Sequence, residues 1–543
     1  MSRPLTSPSL MMSRFRRSST LLLCALALAG LGPVGCGGDE TGAGSESGAD
    51  TGRNPRPSGG RPSGGGSDDG DGDPEGGADA GSGGNDTGLP LDDVLTAPDV
   101  DPTDTGAPPD VAPVDTSVPF PEGSSGVRGT VWVPGNAPGM VPAGQEIPVS
   151  GALVYLTTTA PPPIPPNAYC AACVAAPARA VLTDAGGRFD VGGFVPGDYI
   201  LVIEKGQFRR QVNVTLTEAG LMEIPATDTT LPSRNAPSEG LFTPRIALAV
   251  GASDHLEDIM GKMDLGDVDS DGRYMPMSST GIIDLYDNGG SAGGAAVGDL
   301  GELVQDLGRL SQYHILFIPC SGDGYANLLN NQAVLRNLRE YVALGGNLYV
   351  TDWSGEWADN VFPAQMTLGE DGFGGIFGGS GIDTPASAYN AATGQWSTGQ
   401  FGNADGSSYD TPNAEVLDPT MFAWMNGQQG PTAESSSVST YNAASFEITG
   451  NWNFIESVNS VVVGTDSFGA NITDTPKVWV QGGQDLRPTP KRPMTVSFEP
   501  AGCGRVLYST YHTTGGAHQG LVPQERVLLY LIMEIGTCRN PKV

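Results

Sequence analysis

Basic residues are scarce in this chain. Its 543 residues include 28 lysine and arginine against 61 aspartate and glutamate, a formal net charge of −33. Beyond the amino-terminal Arg14, Arg16 and Arg17 no basic cluster appears, which excludes nucleic acid as a partner because phosphate backbones need clustered lysine and arginine. Histidine occurs four times, so few residues can serve as a base near neutral pH. The apolar run Leu21 to Leu31 is too short to cross a bilayer and stay there. From Gly37 to about Glu122 there is scarcely an aromatic residue, and a segment with so little to bury cannot offset its chain entropy.

What is present begins with an export signal: the three arginines, the apolar run, small residues and then Gly35-Cys36. This resembles a bacterial lipoprotein signal over residues 1–36, although Pro33 stands where that family usually has leucine. The resemblance implies lipidation of Cys36, a membrane partner through the lipid, and an outer-membrane or cell-surface location. Residues 37–122, rich in Gly, Asp, Ser, Pro and Thr, read as a disordered tether. As a flexible coil it would hold the folded part about 50 Å from a membrane.

Residues 123–226 read as a small β-sandwich. Val127 to Val133 alternates apolar and polar residues, Ile147 to Leu156 follows a Pro/Gly loop, and Asp184-Ala185-Gly186-Gly187 is a turn leading into Arg188 to Val191. Tyr199 to Glu204 and Val212 to Leu216 complete the set. At Gly129-Thr130-Val131, Pro148 to Val154, Thr183-Asp184 through Phe189 and Pro196-Gly197-Asp198-Tyr199, the stretch resembles the carboxypeptidase regulatory-like domain, a transthyretin-like sandwich grouped with carbohydrate-binding-like folds. The resemblance implies no peptidase activity; it makes a glycan or another cell-surface protein the expected partner. Trp132 and Tyr155 are its candidate aromatic platforms, each also suited to a core. The Pro-rich, cysteine-containing stretch from Pro161 to Pro177 departs from the family pattern.

After a linker near Thr227 to Gly240, residues 241–543 read as a doubly wound α/β domain with a mainly parallel sheet. Its organising stretch is Asn331 to Trp353. Val334, Leu335, Leu338, Tyr341 and Val342 recur at helical spacing, Gly345-Gly346 stops the helix, and Asn347 to Thr351 follows as a strand. His314 to Cys320 is the preceding strand, and strand, helix, strand gives parallel neighbours with a right-handed crossover. Arg245 to Val250 and Gly281 to Tyr286 are earlier strands, and Arg505 to His512 leads to a last helix, Pro523 to Ile535. Residues 355–445 read as an insertion forming a lid or rim.

GGNLYVTD after a helix, with a late strand ending in histidine, resembles the class I glutamine amidotransferase-like fold. That family carries a nucleophilic cysteine on a sharp elbow after this strand and a histidine from a late strand. Here the elbow reads Asp352-Trp353-Ser354-Gly355, and Tyr511-His512-Thr513 replaces the family's Phe-His-Pro-Glu. Cys320 lies one strand too early. Amidotransferase activity is therefore not expected, and the leading expectation is non-catalytic binding at the cell surface. The alternative is a hydrolase at Asp352, Ser354 and His512. In it either Ser354 is the nucleophile, with His512 as base and Glu356 or Asp352 orienting it, or Asp352 and His512 act as acid and base. Against both stands a plain structural role, Asp352 and Ser354 capping the next turn and His512 ending a strand.

Asp267, Asp269 and Asp271, followed by Gly272, have the spacing of a calcium loop, but Ser278 holds the position where a bidentate glutamate is expected. Of the seven cysteines, Cys170 and Cys173 could form a small-loop disulfide, a redox pair or half a metal site, and the first reading is preferred. Cys503 and Cys538, at the same end of a strand-helix pair, form the second expected bridge, leaving Cys320 free.

Overall fold

The structure is a computed structural model that describes residues 120–170, 176–276, 282–290, 294–321, 326–369, 389–390, 392–396, 409–432, 435–465, 468–483, 490–513 and 518–537. The lipoprotein-type segment with Cys36, nearly all of the tether, Cys173 and Cys538 lie outside these residues. What is described is mostly sheet, with few helices.

The first sandwich layer has three strands. β1 (Ser125–Thr130) pairs antiparallel with β4 (Arg188–Phe194) and parallel with β7 (Gly220–Glu223). The second layer runs β3 (Val181–Leu182), β2 (Leu153–Thr157), β5 (Gly197–Lys205), β6 (Phe208–Leu216) and β8 (Leu241–Phe242). Val127, Val154, Val191, Leu201 and Ile203, each at 1% exposure or less, pack between them, as the period-two pattern requires. Tyr155 is core, and its hydroxyl reaches Glu204, so it is no platform.

The expected linker at 227–240 is folded. Ala226–Thr229 forms a helical turn, Thr229 is fully buried, and β8 closes the sandwich by pairing with β6. Its threonines bond back to the sandwich, Thr229 Oγ1 donating to the carbonyl of Thr130.

The second half is built on a nine-stranded sheet. β10 (Ile283–Asp287), β9 (Ile246–Val250), β11 (Ile315–Ile318), β12 (Asn347–Thr351) and the strand Val506–Ser509 lie side by side and parallel. Arg492–Phe498, Lys477–Gly482, Tyr409–Val416 and Phe446–Asn451 extend it with antiparallel pairings. The sheet is thus mixed, with antiparallel pairs as frequent as parallel ones. Strand side chains alternate between two covered faces. Ile246, Leu248 and Val250 face the helices Leu256–Lys262 and Pro523–Glu534, while Ala247 and Ala249 face Leu300–Gln305 and Gln332–Ala343. Burial on both sides explains why these strands read as unbroken apolar runs.

The helix Gln332–Ala343 buries the five residues its periodicity picks out, and Asn331 caps it by accepting the Ala333 N–H at 3.0 Å. Gly345, at φ +98°, ends it. A Cβ there would meet the Tyr169 carbonyl oxygen at 2.1 Å, so the turn needs glycine for conformation and for space.

The 355–445 insertion is more than a rim. Tyr409–Val416 is a strand of the main sheet, and the helix Pro419–Asn426 buries Trp424, whose indole N–H donates to the Pro148 carbonyl of the sandwich at 2.8 Å. Sandwich and sheet share one core, in which sandwich residues such as Leu201 and Phe208 join Trp424 and Tyr530.

The Pro-rich stretch that departs from the regulatory-like pattern is a strap to the α/β half. His314 Nδ1 accepts the Arg245 N–H and its Nε2 donates to the Pro165 carbonyl, both at 2.8 Å, while burial pushes the imidazole below its ordinary pKa. Tyr169 stands edge-on to that ring, and Cys170 is bonded to Cys503. The expected partners were therefore wrong. Cys170 pairs across 333 positions of sequence rather than with its near neighbour, because the strap lies over the turn that precedes the strand Val506–Ser509. Cys320 is buried and outside that bridge.

Candidate functional site

The carboxyl ends of β9, β12 and Val506–Ser509 converge at Asp352. It follows β12 directly, has a left-handed φ of +44°, and is fully buried. A non-glycine residue held there is strained, and such strain persists only where the surroundings fix it. Here they do. Asp352 Oδ1 accepts the Trp452 N–H at 2.9 Å, and its carbonyl accepts from Tyr508 Oη and Asn453 Nδ2, both at 3.1 Å. The carboxylate therefore binds the 450–453 segment instead of capping the turn that follows it.

His512 comes from just beyond Val506–Ser509. Its Nδ1 lies 2.7 Å from the Thr513 carbonyl oxygen, which can only accept, so Nδ1 carries a proton. Its Nε2 lies 3.6 Å from Asp352 Oδ2, with the side chain 12% exposed. Gly450, at φ +73°, covers the ring: a Cβ there would sit 2.8 Å from His512 Cε1. Gln524 donates to the His512 carbonyl at 2.8 Å.

The structure places Asp352 and His512, which the sequence reading paired, side by side. Ser354 does not join them. Its hydroxyl is fully buried and donates to the Pro319 carbonyl at 2.8 Å. Glu356 is buried and accepts from Asn360. Cys320 donates its N–H to Thr351 Oγ1 at 2.9 Å and is fully buried, as a thiol kept from reaction would be.

A residue without a sequence signal organises the floor. Asp254, fully buried at the start of the loop after β9, accepts the Thr513 N–H at 2.9 Å, the Thr513 hydroxyl at 2.8 Å and the Thr351 hydroxyl. One carboxylate therefore ties together the ends of β9 and β12 and the loop that carries His512. Nothing in its spacing distinguishes it from a helix-start aspartate.

Beside it, His255 Nδ1 lies 3.1 Å from Glu257 Oε1. The hydrogen bond to Glu257 raises His255 from 6.5 to about 9, and burial pushes the Glu257 carboxyl up. Both shifts mean the folded state holds protons more tightly than the unfolded chain. The stability His255 contributes is complete below about pH 6.5 and is lost as pH rises through about 9, whereas that of Glu257 already begins to fall above its ordinary carboxylate range. Urea-unfolding midpoints measured between pH 6 and 9.5 should fall with pH, and His255→Gln should flatten that slope; an unchanged slope would refute the assignment.

The calcium reading fails on geometry. Asp269 Oδ1 accepts the N–H groups of Asp271 and Arg273 at 2.9 and 3.0 Å, closing a tight turn, and bonds to Arg273 and Asp271 pull its carboxyl below its ordinary pKa. Asp267, Asp269 and Asp271 do not converge, and among the described residues no group of three His, Cys, Asp or Glu is placed to hold a metal.

At the outer edge of the Asp352–His512 pair stand two tryptophans. The rings of Trp353 and Trp452 are 5.6 Å apart and tilted by 44°, and both residues are partly exposed. Compared with protein-family models and with curated proteins, the sequence matches none.

Proposed function

We propose that this is an exported, lipid-anchored cell-surface protein whose folded part binds its ligand without transforming it. Carbohydrate is the ligand class implied by the resemblance of residues 123–226 to the carboxypeptidase regulatory-like domain. In this reading residues 241–543 keep the doubly wound, amidotransferase-like scaffold without its nucleophile. Five adjacent parallel strands with helices on both faces support that part.

The observation that carries the binding reading is the state of the elbow. Asp352 is fully buried with one oxygen on the Trp452 N–H and the other against His512, and Ser354 is committed to Pro319. Neither Asp352 nor Ser354 is presented to a substrate at the surface. The Cys170–Cys503 bridge supports export, since disulfides persist in oxidising compartments.

A hydrolase is the second reading, favoured by the 3.6 Å approach of His512 to a strained elbow aspartate. Apo catalytic contacts are often long and tighten with substrate. Two measurements separate the proposals. In a bacterium that lipidates exported proteins, the wild-type chain should partition with membranes and Cys36→Ser should not; equal partitioning would end the anchor proposal. Purified wild type and His512→Ala should hydrolyse p-nitrophenyl acetate at the same background rate. A tenfold or greater loss in His512→Ala would establish the hydrolase instead.

A further inference from the structure

We infer that residues 113–119, the end of the tether, dock on the outer face of the first sandwich layer, with Asp115 answering Arg188. Alternation puts Arg188, Asp190 and Gly192 of β4 on that face, opposite the buried Phe189 and Val191. Gly126 and Arg128 of β1, with Leu221 and Glu223 of β7, lie across the same face in register. Its two glycines make a floor: a Cβ on Gly126 would meet Gly192 Cα at 2.7 Å and the Leu221 side chain at 2.8 Å. Phe120, where the described chain begins, is already seated there. A Cβ on Gly192 would lie 2.6 to 2.7 Å from three of its ring atoms, and Phe120 is 39% exposed.

Charge and reach identify what lies on the rest of this face. Arg128 Nη2 is 3.4 Å from Asp190 Oδ2, and the strand register sets Arg128 between Asp190 and Glu223. Arg188, exposed on the edge strand, has no ion-pair partner among the described residues. Asp184, in the turn before it, spends Oδ1 on the backbone N–H groups of Gly186 and Arg188. Along β4, Arg188 lies about 13 Å from Gly192 at the usual strand rise. Along the tether, Asp115 lies about 15 Å from Phe120 at the polyproline rise. A segment that leaves its seat on Gly192 and follows β4 therefore brings the Asp115 carboxylate to the Arg188 guanidinium. Pro113 and Pro119 fix φ at both ends of the segment, and a chain preset in an extended form loses less entropy on docking. Because Phe120 of the same chain holds the seat, the occupant is the chain's own tether. Docking covers the outer face of this layer and moves the tether's point of departure from Phe120 back to about residue 112.

The test uses residues 37–543 with the disulfide intact and the photoreactive residue p-benzoylphenylalanine in place of Val114, irradiated in dilute solution and mapped by mass spectrometry. Cross-links should fall on Arg128 or on β4 between Arg188 and Gly192, in monomeric product. The same probe in place of Val94 should give no preferred site. Arg188→Glu should lower the Val114 yield about two- to fivefold, the range an exposed ion pair supplies, and adding Asp115→Arg should restore it. Cross-links from position 114 scattered as they are from position 94 would overturn the proposal. So would a yield unchanged by Arg188→Glu, or a product that joins the tether of one copy to the face of another.

Discussion

Replacing Lys205 with methionine is expected to lower the unfolding free energy by about 3 kcal/mol, among the largest effects of any single change to this chain. Lys205 ends β5 of the sandwich with its side chain only 5% exposed, and its Nζ lies 2.5 Å from Glu534 Oε2 on the last helix of the α/β half. It also stands over the Tyr530 ring, 5.8 Å from the centroid. Burial alone would raise the Glu534 carboxyl, but Lys205 and Arg505 outweigh it and hold the group below its ordinary value. Removing Lys205 leaves a poorly solvated carboxylate with one cation fewer, and the cost of that stranded charge exceeds the worth of the intact pair. Adding Glu534→Gln to Lys205→Met should therefore recover a good part of the loss, and a double-mutant cycle in urea measures the coupling. Because the folded-state carboxyl is depressed, its contribution is complete above the ordinary carboxylate range and disappears as pH falls through it. Additive single effects, or a Lys205→Met protein as stable as wild type, would show that the two halves are not joined by this pair.

Reduction of the Cys170–Cys503 bridge should have a comparable effect, about 2–5 kcal/mol. The bond closes a loop spanning 333 positions of sequence, and cross-links that restrict long loops remove the most entropy from the unfolded chain. The strap retains its other contacts when the bridge opens: the Ala168 N–H still donates to the Ser311 carbonyl at 2.8 Å, and Pro165 still accepts from His314. Folding should therefore survive with a lower midpoint. Cys170→Ser, Cys503→Ser and the double variant should melt together, at the temperature of the reduced wild type. Peptide mapping without reductant should recover one linked pair containing both residues. A linked peptide joining Cys170 to Cys173, or Cys503 to Cys538, would refute the pairing.

The two sites differ in how much of them could be read beforehand. The helix Gln332–Ala343, its Asn331 cap and the flanking strands were legible because helical periodicity, capping and a glycine stop are local signals. Asp352 and His512 were legible through their positions at strand ends, since a parallel sheet brings such ends together. Asp254 and Trp452 were not. Each acts through a partner far away in sequence, Thr513 in one case and Asp352 in the other, and spacing carries no trace of such contacts.

Composition and order alone determined that the chain carries a strong acidic excess, a β-rich first half and alternating strands and helices in its second. These follow from charge, apolar run length and period, which need no knowledge of distant contacts. Only the tertiary structure decided that the two halves share one core, that Cys170 meets Cys503, that Ser354 is spent on a carbonyl, and that the three loop aspartates do not converge. Each of those depends on which surfaces close against one another, and closure is settled by the packing of the whole chain rather than by any stretch of it.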